Sequence, residues 1–162
     1  MQTAADYNEF RACATMIDRS KLENVILVAD RGYENYNIFA HAIEKGWKFA
    51  IRIKDKNSNG IASGLNFPPN DEFDIDITQI FSRENTKTTK NADYKWMPVN
   101  QVFDYLPRKS DKTYELSFEM AHYADIGIIL HREKYIRATR STSSFDLISL
   151  LVASIIGCSV MP

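Results

Sequence analysis

Apolar and polar residues change rhythm several times along this chain, and each change marks a different kind of structure. In residues 4–17, Phe10, Cys13, Ala14 and Ile17 recur at helical spacing, with Glu9, Arg11 and Asp18 mostly elsewhere, which predicts an amphipathic helix. Asp18-Arg19-Ser20 interrupts that pattern. Val25-Ile26-Leu27-Val28-Ala29 is an unbroken apolar run with three β-branched residues, read as a strand buried on both faces. Residues 34–45 return to helical spacing, with Ile38, Phe39, Ala42 and Ile43 on one side. Glu34 near the start and Lys45 near the end suit the helix dipole, and Gly46 is a natural stop. His41 lies beside the apolar stripe and reads as structural. Residues 47–54 then alternate, with Trp47, Phe49, Ile51 and Ile53 on one face and Lys48, Arg52 and Lys54 on the other. Together these predict a strand–helix–strand unit, parallel and right-handed.

Beyond residue 55 the pattern shortens. Asn57-Ser58-Asn59-Gly60 and Pro68-Pro69-Asn70-Asp71 are turn signals. Residues 73–77 alternate as a half-exposed strand, and 94–97, 102–106 and 114–118 are further short strand candidates. This predicts an antiparallel β insertion with an exposed loop at 85–91. Residues 131–140 are rich in Arg and Lys, 141–144 are a polar break, and 147–160 are almost wholly apolar. That last run is shorter than the roughly 20 apolar residues of a membrane span, so no membrane association is expected.

Composition narrows the partners. A net charge of −1 gives no overall basic field, so any nucleic-acid contact has to come from a local patch. Cys13 and Cys158 stand far apart without CxxC spacing, which argues against a disulfide framework or zinc site and suits a reducing cytoplasm. The first ten residues contain Asp6 and Glu9 and lack the apolar core of a secretory leader.

Asp30 ends the apolar strand, where α/β sheets place ligand and metal chemistry, although spacing alone reads it equally as a turn or capping residue. Asp55-Lys56-Asn57-Ser58-Asn59-Gly60 opens like a calcium loop, but position 12 is Asn66 and a strand precedes it, so it reads as a glycine-closed turn. Asp74 and Asp76 share a strand face and read as a solvated acidic surface. Lys48, Arg52 and Lys54 form a basic strip that suits a phosphate backbone or simply the wet side of an edge strand. Trp96 is able to stack on an unpaired base or to sit half-buried in a core. His41, His122 and His131 have no ligand-like spacing.

The run Val28-Ala29-Asp30-Arg31-Gly32-Tyr33-Glu34-Asn35-Tyr36-Asn37, followed by Gly46-Trp47-Lys48-Phe49-Ala50-Ile51-Arg52-Ile53-Lys54-Asp55, resembles bacterial insertion-sequence DDE transposases. The nearest group is the insertion sequence four (IS-four) family, marked by a D-R-G-Y signature around its second catalytic Asp, and the likeness covers about residues 8 to 118. The resemblance implies an α/β fold. A partial RNase H-like core (helix–strand–helix–strand) in residues 1–56 would be followed by a β-rich insertion in 57–118 and an atypical tail in 119–162. It also implies DNA cleavage and strand transfer at transposon ends by two-metal catalysis with Mg2+ or Mn2+. Oxygen-rich carboxylates suit those hard ions, and two ions about 4 Å apart can activate the attacking oxygen and stabilise the leaving one. Asp30 matches the second triad Asp and a metal ligand, with Arg31 and Tyr33 flanking metal and DNA.

Two family features have no match. The first Asp belongs on a strand upstream of residue 4, and the Glu belongs in a Y-x-x-R-x-x-x-E-x-x-x-x-x-x-K helix that the chain does not spell. His131-Arg132-Glu133-Lys134 has the letters without the positions. The expectation is a frame-disrupted tail, no strand transfer by this chain alone, and an open flank on the 25–29 strand that favours self-association. The alternative is a non-catalytic DNA-binding or interaction remnant that pairs with an intact transposase.

Overall fold

A computed structural model describes residues 8–54, 58–68, 73–86, 93–123 and 126–131. The readings made on 1–7, 55–57, 69–72, 87–92, 124–125 and 132–162, including Cys158 and the basic and apolar tail segments, lie outside the described residues. Every described residue falls within one of two compact units of the chain, residues 1–131.

The first helix, α1 (Glu9–Arg19), begins where the Asn8 side chain accepts a hydrogen bond from the Arg11 N–H at 3.2 Å, and it buries Ala14 and Ile17. Strand β1 (Ile26–Ala29) follows, and a single 3-10 turn, Arg31–Tyr33, leads to α2 (Tyr36–Glu44). Asn35 caps α2 by accepting from the Asn37 N–H at 2.8 Å. Gly46, at φ +72°, ends it: its N–H reaches Ile43 O and the Trp47 N–H reaches Ala42 O, the paired bonds of a Schellman stop. Strand β2 (Lys48–Arg52) then runs parallel to β1, with Ile26 opposite Lys48 and Ala29 opposite Ile51. The predicted strand–helix–strand unit is therefore present and parallel.

The later strands are β3 (Phe73–Ser82), β4 (Tyr94–Trp96), β5 (Thr113–Tyr123) and β6 (Ile126–His131). All six strands form one sheet in the order β1-β2-β6-β5-β3-β4. Strand β6 pairs antiparallel with both β2 and β5, so the strands after residue 57 continue the same sheet. Three sequence readings are corrected here. The β region is not wholly antiparallel, because β4 runs parallel to β3. Residues 102–106 are turn and irregular backbone rather than a strand: the Leu106 N–H closes onto Phe103 O and the Leu106 carbonyl goes to the Arg83 side chain instead of a ladder. The β1 strand is not buried on both faces: Ile26 and Val28 are 54% and 44% exposed, while Leu27 and Ala29 pack on the core. In the sheet as described, β1 is an edge.

The core gathers around α2. Phe39 stacks on Phe49 at 5.2 Å, and Tyr36 lies 4.8 Å from Phe81 and 6.4 Å from Phe118. Residues 36–42 are all buried, so α2 is covered on its polar side as well as its apolar one. Along β2 and the residues flanking it, Trp47, Phe49, Ile51 and Ile53 are buried as the alternation predicted, while Lys48, Arg52 and Lys54 are half-buried or exposed.

Candidate catalytic end of the parallel strands

Asp30 stands one residue beyond β1, at the C-terminal end of the parallel pair, with its side chain 65% exposed. Arg52, the last residue of β2, brings Nη1 to 4.0 Å from Asp30 Oδ1. In solvent such a pair contributes little to stability, but it places a cation beside the carboxylate. Arg31 is exposed, and Tyr33 is half-buried against the core. Lys54 is exposed just past β2. Lys48 lies opposite Ile26 at the other end of β2, about 13 Å from Arg52 at 3.3 Å per residue. Trp96 is exposed on β4, the opposite edge strand. The structure thus brings Arg52 to Asp30, and it leaves Lys48 and Trp96 elsewhere on the sheet.

Glu34 does work that the helix-dipole reading missed. It precedes the cap of α2 and reaches across to accept hydrogen bonds from the Lys54 N–H at 2.9 Å and from the Ile61 N–H. One carboxylate therefore ties the turn after Asp30 to the exit of β2 and to the 3-10 turn Ile61–Gly64. Gly60 fits this closure: a Cβ there would meet Glu34 Oε1 at 2.6 Å and Lys54 Cβ at 2.9 Å. The glycine of the apparent calcium loop has a steric reason that involves no ion.

A second polar group lies behind the site. His41 places Nδ1 2.7 Å from Asp18 Oδ1 and Nε2 2.9 Å from Asp104 Oδ2, so each ring nitrogen faces a carboxylate oxygen. Asn37 donates to Asp104 Oδ2 at 2.8 Å and accepts from the Asp104 N–H at 2.8 Å. Burial pushes the Asp104 carboxyl up, but the bonds from Asn37 and His41, with the charges of His41 and Arg11, outweigh it and hold the group below its usual value. The unfolded chain therefore binds the proton more readily than the folded one. The resulting stabilisation is complete above the unfolded pKa of about 3.9 and is lost as pH falls through the lower folded value. Thermal midpoints measured between pH 7 and pH 3 should fall less steeply below about pH 4 in Asp104→Asn than in the parent. Parallel curves would show that the carboxylate is not held by this network.

Lys95 rests 4.7 Å from the centre of the Tyr36 ring and donates to its hydroxyl at 2.9 Å, and burial lowers its pKa.

A family profile for the transposase DDE domain matches residues 2–128. The chain belongs to the transposase DDE-domain family. No curated protein and no solved structure matches it. Members of this family generally depend on divalent metal ions, which makes the fit of the Asp30 site to a metal a direct question. Among the described residues of this DDE domain, no three His, Cys, Asp or Glu side chains cluster to hold an ion. Asp30 offers one carboxylate, and the Arg52 guanidinium 4.0 Å from its Oδ1 opposes a cation on the same oxygen. These residues alone do not fit a two-metal centre. Among the described residues, no helix is long and apolar enough to cross a membrane.

Proposed function

We propose that this DDE-domain chain carries the second acid of an IS-four-type transposase, with Asp30 in that role and Mg2+ or Mn2+ as the family's ions. The observation that carries the reading is the placement of Asp30. It ends a parallel strand inside the family match, its D-R-G-Y turn is strapped by Glu34, and Arg52 from the neighbouring strand stands beside it. The β1–α2–β2 unit with α1 is the part of an RNase H-like core that residues 1–56 supply, and 57–118 are the insertion. Arg31, Tyr33, Arg52 and Lys54 face transposon-end DNA near the acid, while Lys48 and Trp96 contact it farther along.

One carboxylate does not organise two metals, because each ion needs several anionic oxygens. The described residues supply one acid of the set, and no strand transfer by this chain alone is expected. Purified chain given Mg2+ or Mn2+ and plasmid carrying terminal repeats is expected to leave the DNA uncut. Nicking that disappears in Asp30→Ala would overturn the inactivity while upholding the role of Asp30. Nicking that survives the substitution would overturn both.

Among the described residues β1 is an edge strand with Ile26 and Val28 exposed, which favours a second reading as an interaction remnant that pairs with an intact transposase. In that reading DNA binding depends on Lys48, Arg52 and Lys54 and is indifferent to Asp30.

A further inference from the structure

A cleft of about 760 Å³ opens between the starts of both helices and the 101–108 loop. Three guanidinium-bearing residues line it: Arg11 on α1, Arg83 just after β3, and Arg108. Asn8 and Asn35, the N-caps of α1 and α2, line it too, so the positive ends of both helix dipoles meet the same space. Asp104 is the one acidic lining residue among the described residues, and its Oδ2 is already taken by Asn37 and His41.

The cation balance sets this cleft apart from an ordinary polar hollow. Arg83 is 9% exposed, and its side-chain hydrogen bonds go to backbone carbonyls. Burial, together with the nearby positive charge of Arg108, works against its charged form. The carbonyls satisfy the Arg83 donors but carry no full negative charge, so Arg83 and Arg108 together leave positive charge at the cleft. The cleft also lies on the functional side of the fold, since Asn35 is five residues beyond Asp30 and caps the helix that leaves the D-R-G-Y turn.

We infer that this cleft seats the phosphodiester backbone of a DNA strand, with Arg11 and Arg108 as the contacting cations and Arg83 as a fixed positive floor. The inference rests on the reading that the chain works on DNA, and it adds a contact surface outside the β2 basic strip. Phosphate contacts of this kind carry affinity and register rather than base preference.

Duplex binding by the full chain, measured across a series of salt concentrations, tests it. Each phosphate contact contributes about 0.9 to the slope of log K against log salt. The Arg11→Ala/Arg108→Ala variant should therefore lose roughly 2 from the slope, equally for unrelated sequences, with its circular dichroism unchanged. Arg108→Ala alone should lose about 1, which keeps the test open if the double variant folds poorly. Replacing both arginines by lysine should restore most of the slope. A double variant that folds and binds like the parent, with the same slope, overturns the cleft assignment; if a Lys48/Arg52/Lys54 triple alanine variant loses binding in the same series, the DNA reading survives. A parent chain that binds no DNA overturns both. Saturable binding of inorganic phosphate that needs Arg11 and Arg108, while DNA affinity ignores them, makes the cleft a small-anion site and overturns the DNA assignment.

Discussion

Replacing Phe39 by alanine is expected to remove about 3–5 kcal/mol of folding stability, the largest loss of any single side-chain truncation in α2. Phe39 is fully buried and is the residue through which the helix meets two separate strands. It stacks on Phe49 of β2 at 5.2 Å and lies edge-on to Phe118 of β5 at 6.2 Å, with Tyr36 at 6.0 Å. Truncation loses the transfer energy of the ring and leaves a cavity among neighbours that are themselves large and constrained. A typical domain has only about 5–15 kcal/mol in total, so the variant should be close to unfolding at ordinary temperature. Urea titration reads this as a lower midpoint at unchanged slope, and Phe39→Leu should recover much of the difference. A loss below about 1 kcal/mol would contradict the packing of α2 against the sheet.

Arg83→Met is expected to cost about 3 kcal/mol, and the mechanism differs. Arg83 donates from Nε and Nη2 to Leu106 O at 3.2 and 3.0 Å, and from Nη1 to the carbonyls of Met97, Pro98 and Gln101 at 3.2, 2.6 and 3.1 Å. One planar fork thus replaces the ladder that residues 97–106 do not form. Methionine keeps most of the volume but leaves four carbonyls to water or to nothing. It also relieves the burial of a cation and its repulsion by Arg108, which offsets part of the loss. Charge-assisted bonds, at about 1.5–3 kcal/mol each, keep the net effect destabilising. Lysine should rescue little, because a point ammonium does not span the fork. Amide exchange in residues 97–106 should accelerate ahead of the rest of the sheet. A variant within about 0.5 kcal/mol of the parent, with unchanged exchange, would refute this account.

What the sequence made legible is what local rules decide. The periodicity of residues 34–45, the stop at Gly46 and the alternation of Trp47, Phe49, Ile51 and Ile53 each depend on a few neighbouring residues, and each appears in the structure. The D-R-G-Y string and the 46–55 stretch resemble DDE transposases, and the profile match supports that broader assignment. Features that depend on distant partners were hidden. An apolar run such as 25–29 announces a strand but not how many neighbours it has, so the exposure of Ile26 and Val28 was not foreseen. Ile126-Gly127-Ile128-Ile129-Leu130 carried an apolar-run signal of its own, yet β6 was missed because its partners lie 76–82 residues upstream on one side and in the adjacent hairpin arm on the other. His41 reads as structural from its place beside the apolar stripe, but its partner Asp104, 63 positions away, and the pairing of Asp104 with Asn37, 67 positions away, are not legible locally. Glu34 looked like a dipole residue because nothing in its neighbourhood names Lys54 or Ile61.

The continuous register of the sheet has a bearing on how this DDE domain tolerates changes in length. Arg52 is opposite Ile128, Ile128 is opposite Ala121, and Ala121 is opposite Asp74. A single backbone row therefore runs from the cation beside Asp30 to the second residue of β3, near one end of the longest strand pair. A one-residue gain or loss within β6 would turn each later side chain of that strand to the other face and change which residue stands opposite Arg52. The connection between β3 and β4 lies off that row, so its length is free to vary without disturbing the Arg52–Asp30 spacing. Spacing, as much as residue identity, is what the sheet encodes on behalf of its acid.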